Sequence, residues 1–197
     1  MDLKLDGMNI IILAKNHNPS IISREWLRDK KIIEGDITNF AHTPAFSVVE
    51  TETVSIVADP ERLQISLKKD FQENITKLQE IADRYVEQLP ETPYTAIGIN
   101  YLYSIPSEKD AMKRICSVDE EKFGNLFPES YQLGSFIKFK YGDFLARLSL
   151  QPEDSKIIAD INFHCEVYSA QGIREMIERA PQTKGKAEEV LEEFFGE

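Results

Sequence analysis

The chain has 197 residues, and 23 basic against 34 acidic side chains give it a net charge of −11. This length suits one large domain or two small, closely packed halves, and a core of that size needs no disulfide or metal staple. The negative charge argues against a broad, sequence-independent grip on nucleic acid, because such a surface must be positive to displace phosphate counterions.

The first half of the chain predicts strands joined by turns. Met8 to Lys15 is a near-continuous apolar run that predicts a buried strand. Ala45 to Ala58, rich in Val, Thr and Ile, predicts one long strand, and Leu63 to Leu67 alternates along a returning strand. The region around Gly35 and Pro44 predicts an irregular connection.

Two helices are expected in the first half of the chain, one before the strand Ala45 to Ala58 and one after the returning strand Leu63 to Leu67. Ser20 or Ser23 caps a short helix that ends near residue 30. Asp70 and Glu73 have the spacing of a capping box, and an amphipathic stripe over Ile75 to Leu89 follows. A proline then stops this second helix.

The middle of the chain begins with an aromatic and β-branched segment, Tyr94 to Ile105, which predicts a strand. Gly98 inside it marks a bulge or a close backbone approach. Ser107 with Asp110 is a further capping box that opens a helix, and residues 119–127 predict a short helix or turn.

A three-stranded antiparallel meander is predicted over residues 134–168. Its strands are Phe136 to Tyr141, Phe144 to Leu150 and Lys156 to Tyr168, with apolar side chains at every second position. One face therefore belongs to a core. The opposite face carries polar side chains: Lys138, Lys140, Arg147, Ser149, Asp160, Asn162, His164 and Glu166.

Two helices close the chain, the first capped by Ser169 and ended by Pro181, the second capped by Thr183. The whole order predicts an α+β fold in which antiparallel or mixed sheet is covered by helices. We expect a single compact domain, with two similar lobes at about residues 1–105 and 106–197.

This element order, with the strand Tyr-Thr-Ala-Ile-Gly-Ile-Asn-Tyr over Tyr94 to Tyr101, resembles a sporadically distributed family of uncharacterised prokaryotic proteins. The resemblance covers residues 45–180. It implies a prokaryotic source and includes no catalytic motif, so it implies no activity.

Composition and motifs predict a cytoplasmic protein without a cofactor. Cys116 and Cys165 are too few for a thiolate metal site, and no secretory signal or apolar stretch of membrane-spanning length is visible. There is no glycine-rich phosphate loop, dinucleotide fingerprint, Gly-x-Ser-x-Gly elbow or His-Glu-x-x-His motif.

The polar face of the meander is the first candidate site. We expect Lys138, Arg147, Asp160, Asn162, His164 and Glu166 either to form a solvated face with paired charges or to bind a ligand or partner. A metal-dependent or acid/base enzyme built around His164 with Asp160 or Glu166 is the alternative, completed by His17 and His42 if the fold brings the three histidines together. A nucleic-acid accessory protein that uses Lys138, Lys140 and Arg147 with Phe136 and Tyr141 is a third hypothesis and is not favoured, because neighbouring carboxylates would repel phosphate.

The second candidate is the terminal helix, whose apolar stripe is Val190, Leu191, Phe194 and Phe195. It docks either on the chain's own sheet or on a partner, which includes a second copy in a homodimer. The favoured hypothesis is a non-enzymatic cytoplasmic protein that binds or assembles through the sheet face or this helix.

Overall fold

Nine antiparallel strands form one continuous sheet in the computed structural model, which describes residues 2–106 and 111–196, with position 114 as backbone only. The sheet order is β2-β3-β4-β5-β1-β6-β9-β8-β7. Its strands are β1 Lys4–Ala14, β2 Asn39–Thr43, β3 Phe46–Glu50, β4 Val54–Ala58, β5 Arg62–Leu67, β6 Tyr94–Pro106, β7 Ser135–Tyr141, β8 Phe144–Glu153 and β9 Lys156–Glu166.

The helices of the described residues, after a 3₁₀ turn at Pro19–Ile21, are α1 Arg24–Asp29, α2 Ile75–Gln88, α3 Ala111–Ile115, α4 Glu120–Leu126, α5 Ala170–Glu178 and α6 Ala180–Phe195. All except α4 bury residues in a single hydrophobic core against one face of the sheet. The prediction of an α+β fold with a helix-covered antiparallel sheet is confirmed.

The two halves of the chain meet at the centre of the sheet, where β1 pairs with β6. In the first half β1 is followed by the meander β2 to β5, which returns to pair with β1, and then by α2. In the second half β6 is followed by the meander β7 to β9, which returns to pair with β6, and then by α5. The predicted division into two lobes at about residue 105 stays a prediction.

The meander of residues 134–168 has the three predicted strands, although β8 continues to Glu153, beyond the predicted end at Leu150, and β9 ends at Glu166, before the predicted end at Tyr168. Gly142 has φ +56°, a backbone conformation that glycine adopts without strain, and this lets the first connection close tightly. Ser23 and Ser169 are N-caps as predicted, since their hydroxyl oxygens accept from the N–H groups of Trp26 and Gly172.

The expected single strand Ala45 to Ala58 is wrong, because it is the hairpin β3–β4. The Oγ1 atom of Thr51 accepts from the backbone N–H groups of Thr53 and Val54, at 3.3 and 3.0 Å, and this closes the turn. The irregular connection expected around Pro44 is also corrected, because edge strand β2 lies there and pairs with β3.

Two predicted helix caps are wrong. Asp70 has φ +52° and belongs to the turn before α2, whose N-cap is Asn74. Thr183 lies inside α6, which begins at Ala180 because Pro181 fits the first turn of a helix as well as it ends one. The capping box predicted at Ser107 and Asp110 lies outside the described residues.

Candidate functional site

The sheet face opposite the helices, called the open face below, carries a row of polar residues across all nine strands. In successive cross-strand pairs each residue of the row stands beside the next. The row is Asn39, Glu50, Ser55, Ser66, Asn9, Asn100, Asn162, Arg147 and Lys138. Because side chains alternate along each strand, its neighbours toward the helices are the apolar residues of the core.

Three asparagines at the centre of this row form a chain of amide hydrogen bonds. Asn162 Nδ2 donates to Asn100 Oδ1 at 2.6 Å, and Asn100 Nδ2 donates to Asn9 Oδ1 at 2.8 Å. Gly98 gives this chain its room, since a Cβ there would stand 3.2 Å from Asn162 Nδ2. The group that approaches Gly98 closely is thus a side-chain amide, where the sequence predicted a bulge or a close backbone approach. The asparagine chain ties both halves of the molecule together on the open face.

A cluster of cations stands at the β7–β8 end of the row. The Arg147 guanidinium carbon lies 5.4 Å from the centroid of the Phe136 ring, and Lys138 Nζ lies 5.7 Å from it. These are cation–π distances, and Phe136 is 56% exposed. Among the described residues neither cation has a carboxylate within ion-pair distance. Their charge is therefore available to a partner.

The cations line a depression of about 620 Å³ in the open face, called the trough below. It is bordered by Ile11, Asn100, Phe136, Lys138, Leu145, Arg147, Ser149, Asp160, Asn162 and His164. All of these belong to the five strands β1, β6, β7, β8 and β9. No loop or helix of the described residues roofs the trough, so an occupant would be held from one side.

Asp160 is the one carboxylate among the residues that border the trough. Burial raises the pKa of its carboxyl group, and the nearby charge of Arg147 opposes that rise. Asp160 stands directly across from Leu102 and Ser149 in the sheet. The residues that border the trough thus include two cations, Arg147 and Lys138, and one carboxylate, Asp160.

The structure places Asp160, His164 and Glu166, the residues of the predicted acid/base group, in the open-face register of one strand, β9. Asp160 and His164 are four residues apart on one strand, which separates them by about 13 Å. Asn162, which belongs to the polar row, stands between them along β9. Glu166 accepts a hydrogen bond from the Tyr168 hydroxyl at 3.0 Å.

The three histidines lie in separate places. His17 is buried beyond the end of β1, where its Nε2 lies 3.1 Å from the Ile12 carbonyl oxygen and its ring packs edge-on against Tyr94. His42 is on edge strand β2 and pairs its Nδ1 with the Ser47 hydroxyl at 2.9 Å. His164 is on β9, which is six strands from β2. No group of three or more His, Cys, Asp or Glu side chains in the described ranges is placed to hold a metal ion.

The terminal helix docks on its own chain. Leu191 is fully buried, and Val190 and Phe195 pack against the same core. Of the four stripe residues proposed for a partner, Phe194 alone is exposed, with 37% of its surface accessible to solvent. Burial in the core removes Leu191 from any partner contact.

Cys165 is buried, as its place in the apolar alternation of β9 predicts. Burial raises the pKa of its thiol, which disfavours the reactive thiolate form.

The residues that sequence reasoning missed are Asn9, Asn100, Leu102 and Leu145. A signal for the first two was present, because each is a lone amide inside an otherwise apolar or aromatic strand. Leu145 and Leu102, 49% and 38% exposed, stand across from His164 and Asp160. They add apolar surface in and beside the trough.

The fold and the open face define an α+β protein with a single-layer antiparallel sheet, helices on one side and a polar, partly basic surface on the other. A scan against known protein families gives no matching family model, and a comparison with curated proteins gives no match. Within the described ranges no helix has both the length and the apolar character needed to cross a membrane.

Proposed function

We propose that the protein is a non-enzymatic binding protein and that its open face takes up an acidic, partly apolar segment of a protein partner. The observation that carries this proposal is the pair Arg147 and Lys138, which flank the exposed Phe136 ring without a neutralising carboxylate in ion-pair range among the described residues. An acidic segment would supply the missing opposite charge.

The shape of the trough favours a protein segment over a small molecule. Small-molecule sites enclose most of the ligand surface. This trough is bordered by side chains of one sheet face only. The open face is nine strands wide, about 40 Å, which is the scale of a protein interface.

Apolar groups beside the cations favour protein over nucleic acid. Leu102, Leu145 and Phe136 are exposed large apolar residues on the open face, and an aromatic ring beside arginine is typical of protein interfaces. The net charge of −11 argues against a long phosphate backbone, which would need a positive surface wider than the pair Arg147 and Lys138.

Binding, rather than catalysis, is supported by the separation of the titratable groups. His164, Asp160 and Glu166 are not paired with one another, and His17 and His42 lie elsewhere. We also propose that the protein is cytoplasmic and prokaryotic; the two free thiols and the resemblance of the element order to a prokaryotic family support this.

The test is fluorescence anisotropy with a labelled synthetic peptide in which glutamate alternates with leucine and phenylalanine. We expect the peptide to bind at low salt and to lose at least about tenfold in affinity with Arg147→Glu, since the reversed charge repels it. Lys30→Glu is the matched control, because it makes the same charge change at an exposed residue that follows α1.

Three results would overturn the proposal. The peptide fails to bind the unmodified protein, or Arg147→Glu binds it as well as Lys30→Glu does. In the third, a labelled oligo-dT strand binds more tightly than the acidic peptide and responds to Arg147→Glu, which would make nucleic acid the ligand.

A further inference from the structure

Between β6 and β7 the chain forms an acidic segment, residues 117–131, called the acidic arm below. It contains four acidic residues, Asp119, Glu120, Glu121 and Glu129, against the single cation Lys122, for a net charge of −3. Helix α4 lies within it and has no buried residue. The arm is thus an exposed anionic segment outside the core.

The acidic arm also presents apolar side chains to solvent. Leu126 is 61% exposed and Phe127 is 49% exposed, two of the largest such values among the apolar residues. The rings of Phe123, Phe127 and Tyr131 pack on one another with centroids 5.5 to 6.2 Å apart. This aromatic cluster gives the arm a preformed shape, which lowers the entropy cost of docking it.

Among the residues that the structure describes, only some of the arm's carboxylates have a polar partner. Glu120 is 3.8 Å from Lys113, and Asp119 caps α4 through the N–H of Lys122. Glu121 and Glu129 have no ion pair within the described part of the chain. Helix α6 is also acidic, and two of its four glutamates pair with Lys184 and Lys186. Its apolar stripe is packed in or against the core except for Phe194, whereas the arm exposes both Leu126 and Phe127 beside its carboxylates. The arm therefore combines the anionic and apolar groups that suit the trough.

The arm and the trough are also close to each other along the chain. The arm leads into β7 at Ser135, and Lys138 of the trough is three residues further along that strand, about 10 Å away. In a twofold pair in which each arm reaches the other copy, each arm would lie over the partner copy's trough. Such an interface is closed and contains the same contact twice.

We infer that the acidic segment that occupies the trough is the acidic arm of a second copy, so that the protein is a twofold homodimer. This inference rests on the proposed function and names its partner. Glu121 and Glu129 supply the anions for Arg147 and Lys138, and Leu126 and Phe127 meet Leu145 and Phe136.

A charge swap tests the inference by sedimentation equilibrium. The unmodified protein is expected to be a dimer, and Arg147→Glu or Glu121→Arg alone is expected to weaken the dimer at least about tenfold, because each homodimer then contains two like-charge contacts. An equimolar mixture of the two variants is expected to form a heterodimer, in which both contacts again join opposite charges.

Control variants are Lys30→Glu and Glu91→Arg, exposed residues that make the same charge changes away from the trough and the arm. Both are expected to remain dimers. Because the mixture regains the dimer, loss in the single variants cannot be ascribed to misfolding. Glu121→Arg frees the trough of the arm, so it is expected to bind the acidic peptide more tightly than the unmodified protein.

Failure of this inference differs from failure of the proposed function. A monomeric unmodified protein, or a dimer that survives Glu121→Arg, overturns the arm as occupant. If Arg147→Glu still abolishes binding of the acidic peptide in that case, the proposed function stands. If Arg147→Glu leaves both the dimer and peptide binding intact, both proposals fall.

Discussion

The two faces of the sheet are built from the same strands and divide the work of the molecule. On the covered face of β9, Phe163 is fully buried among the rings of Tyr101, Phe139, Tyr141 and Phe144, with centroids 6.1 to 6.3 Å away. On the open face of the same strand, Asn162 continues the polar row. Because side chains alternate between the faces, the covered face supplies the core and the open face is free to bind a partner. Substitutions on the covered face should therefore change the free energy of unfolding, and substitutions on the open face should change binding.

The largest expected effect is the loss of a core ring. Phe163→Ala removes a fully buried aromatic side chain and leaves a cavity, so it should lower the free energy of unfolding by about 3–5 kcal/mol. Phe136→Ala, the same change on the open face, should cost less than about 1 kcal/mol, because it loses only solvent-exposed cation–π contacts. Urea unfolding measures both values.

If Phe136→Ala destabilises the protein as much as Phe163→Ala does, the proposed difference in stability between the two faces is wrong. Phe163→Leu, which keeps much of the buried volume, should fall between them. The same two alanine variants should rank in the opposite order for loss of affinity for the acidic peptide.

The next effect concerns His17, a titratable group on the buried side of the structure. Burial lowers the pKa of its imidazole, although the Ile12 carbonyl and Asp59 oppose the change. Since Nε2–H donates to Ile12, the second nitrogen, Nδ1, is a buried acceptor without a hydrogen-bond partner among the described residues. A proton on it would place an unpaired charge in the core.

Stability should therefore fall as the pH falls below the ordinary pKa of 6.5, where the unfolded chain binds a proton that the folded His17 does not. The loss from this group is at most about 2 kcal/mol by pH 5. His17→Gln should flatten the curve of unfolding free energy against pH between 7 and 5. Parallel curves for the two proteins would show that the pKa of His17 is the same in the folded and the unfolded chain, which would contradict this prediction.

A smaller effect separates two buried tyrosines. The Tyr101 hydroxyl donates to the Ala180 carbonyl at 2.7 Å and lies 2.9 Å from Thr183 Oγ1, which ties β6 to α6. Tyr101→Phe should cost about 1 kcal/mol in urea unfolding.

Tyr85→Phe is the matched control, because the Tyr85 hydroxyl is buried with no hydrogen-bond partner in the described chain. Its removal should be neutral or slightly stabilising. An equal cost for the two variants would mean that the Tyr101 hydrogen bonds contribute nothing to the docking of α6.

Local pattern predicted the meander, its turns and its polar face, because strict alternation with Gly142-Asp143 between two strands permits one arrangement. The β3–β4 hairpin was missed since its turn contains no glycine or proline and is closed instead by the hydroxyl of Thr51. Edge strand β2 was missed because most of its side chains are exposed, so it has no apolar alternation.

The sequence predicted only those residues of the candidate site that lie in the second half of the chain. Lys138, Arg147, Asp160, Asn162 and His164 share a meander and could be assigned to one face from the sequence. Asn9 and Asn100 join them through the pairing of β1 with β6 and of β6 with β9, which are contacts between residues far apart in the chain. Nothing local in the sequence determines that strand order.

The most direct test of the division between faces is to measure two quantities on one variant, Arg147→Glu. The account predicts an unfolding free energy within about 0.5 kcal/mol of the unmodified protein, together with the loss of affinity for the acidic peptide. Unchanged peptide binding, or a loss of stability as large as that of a core substitution, would contradict the claim that the open face is a binding surface.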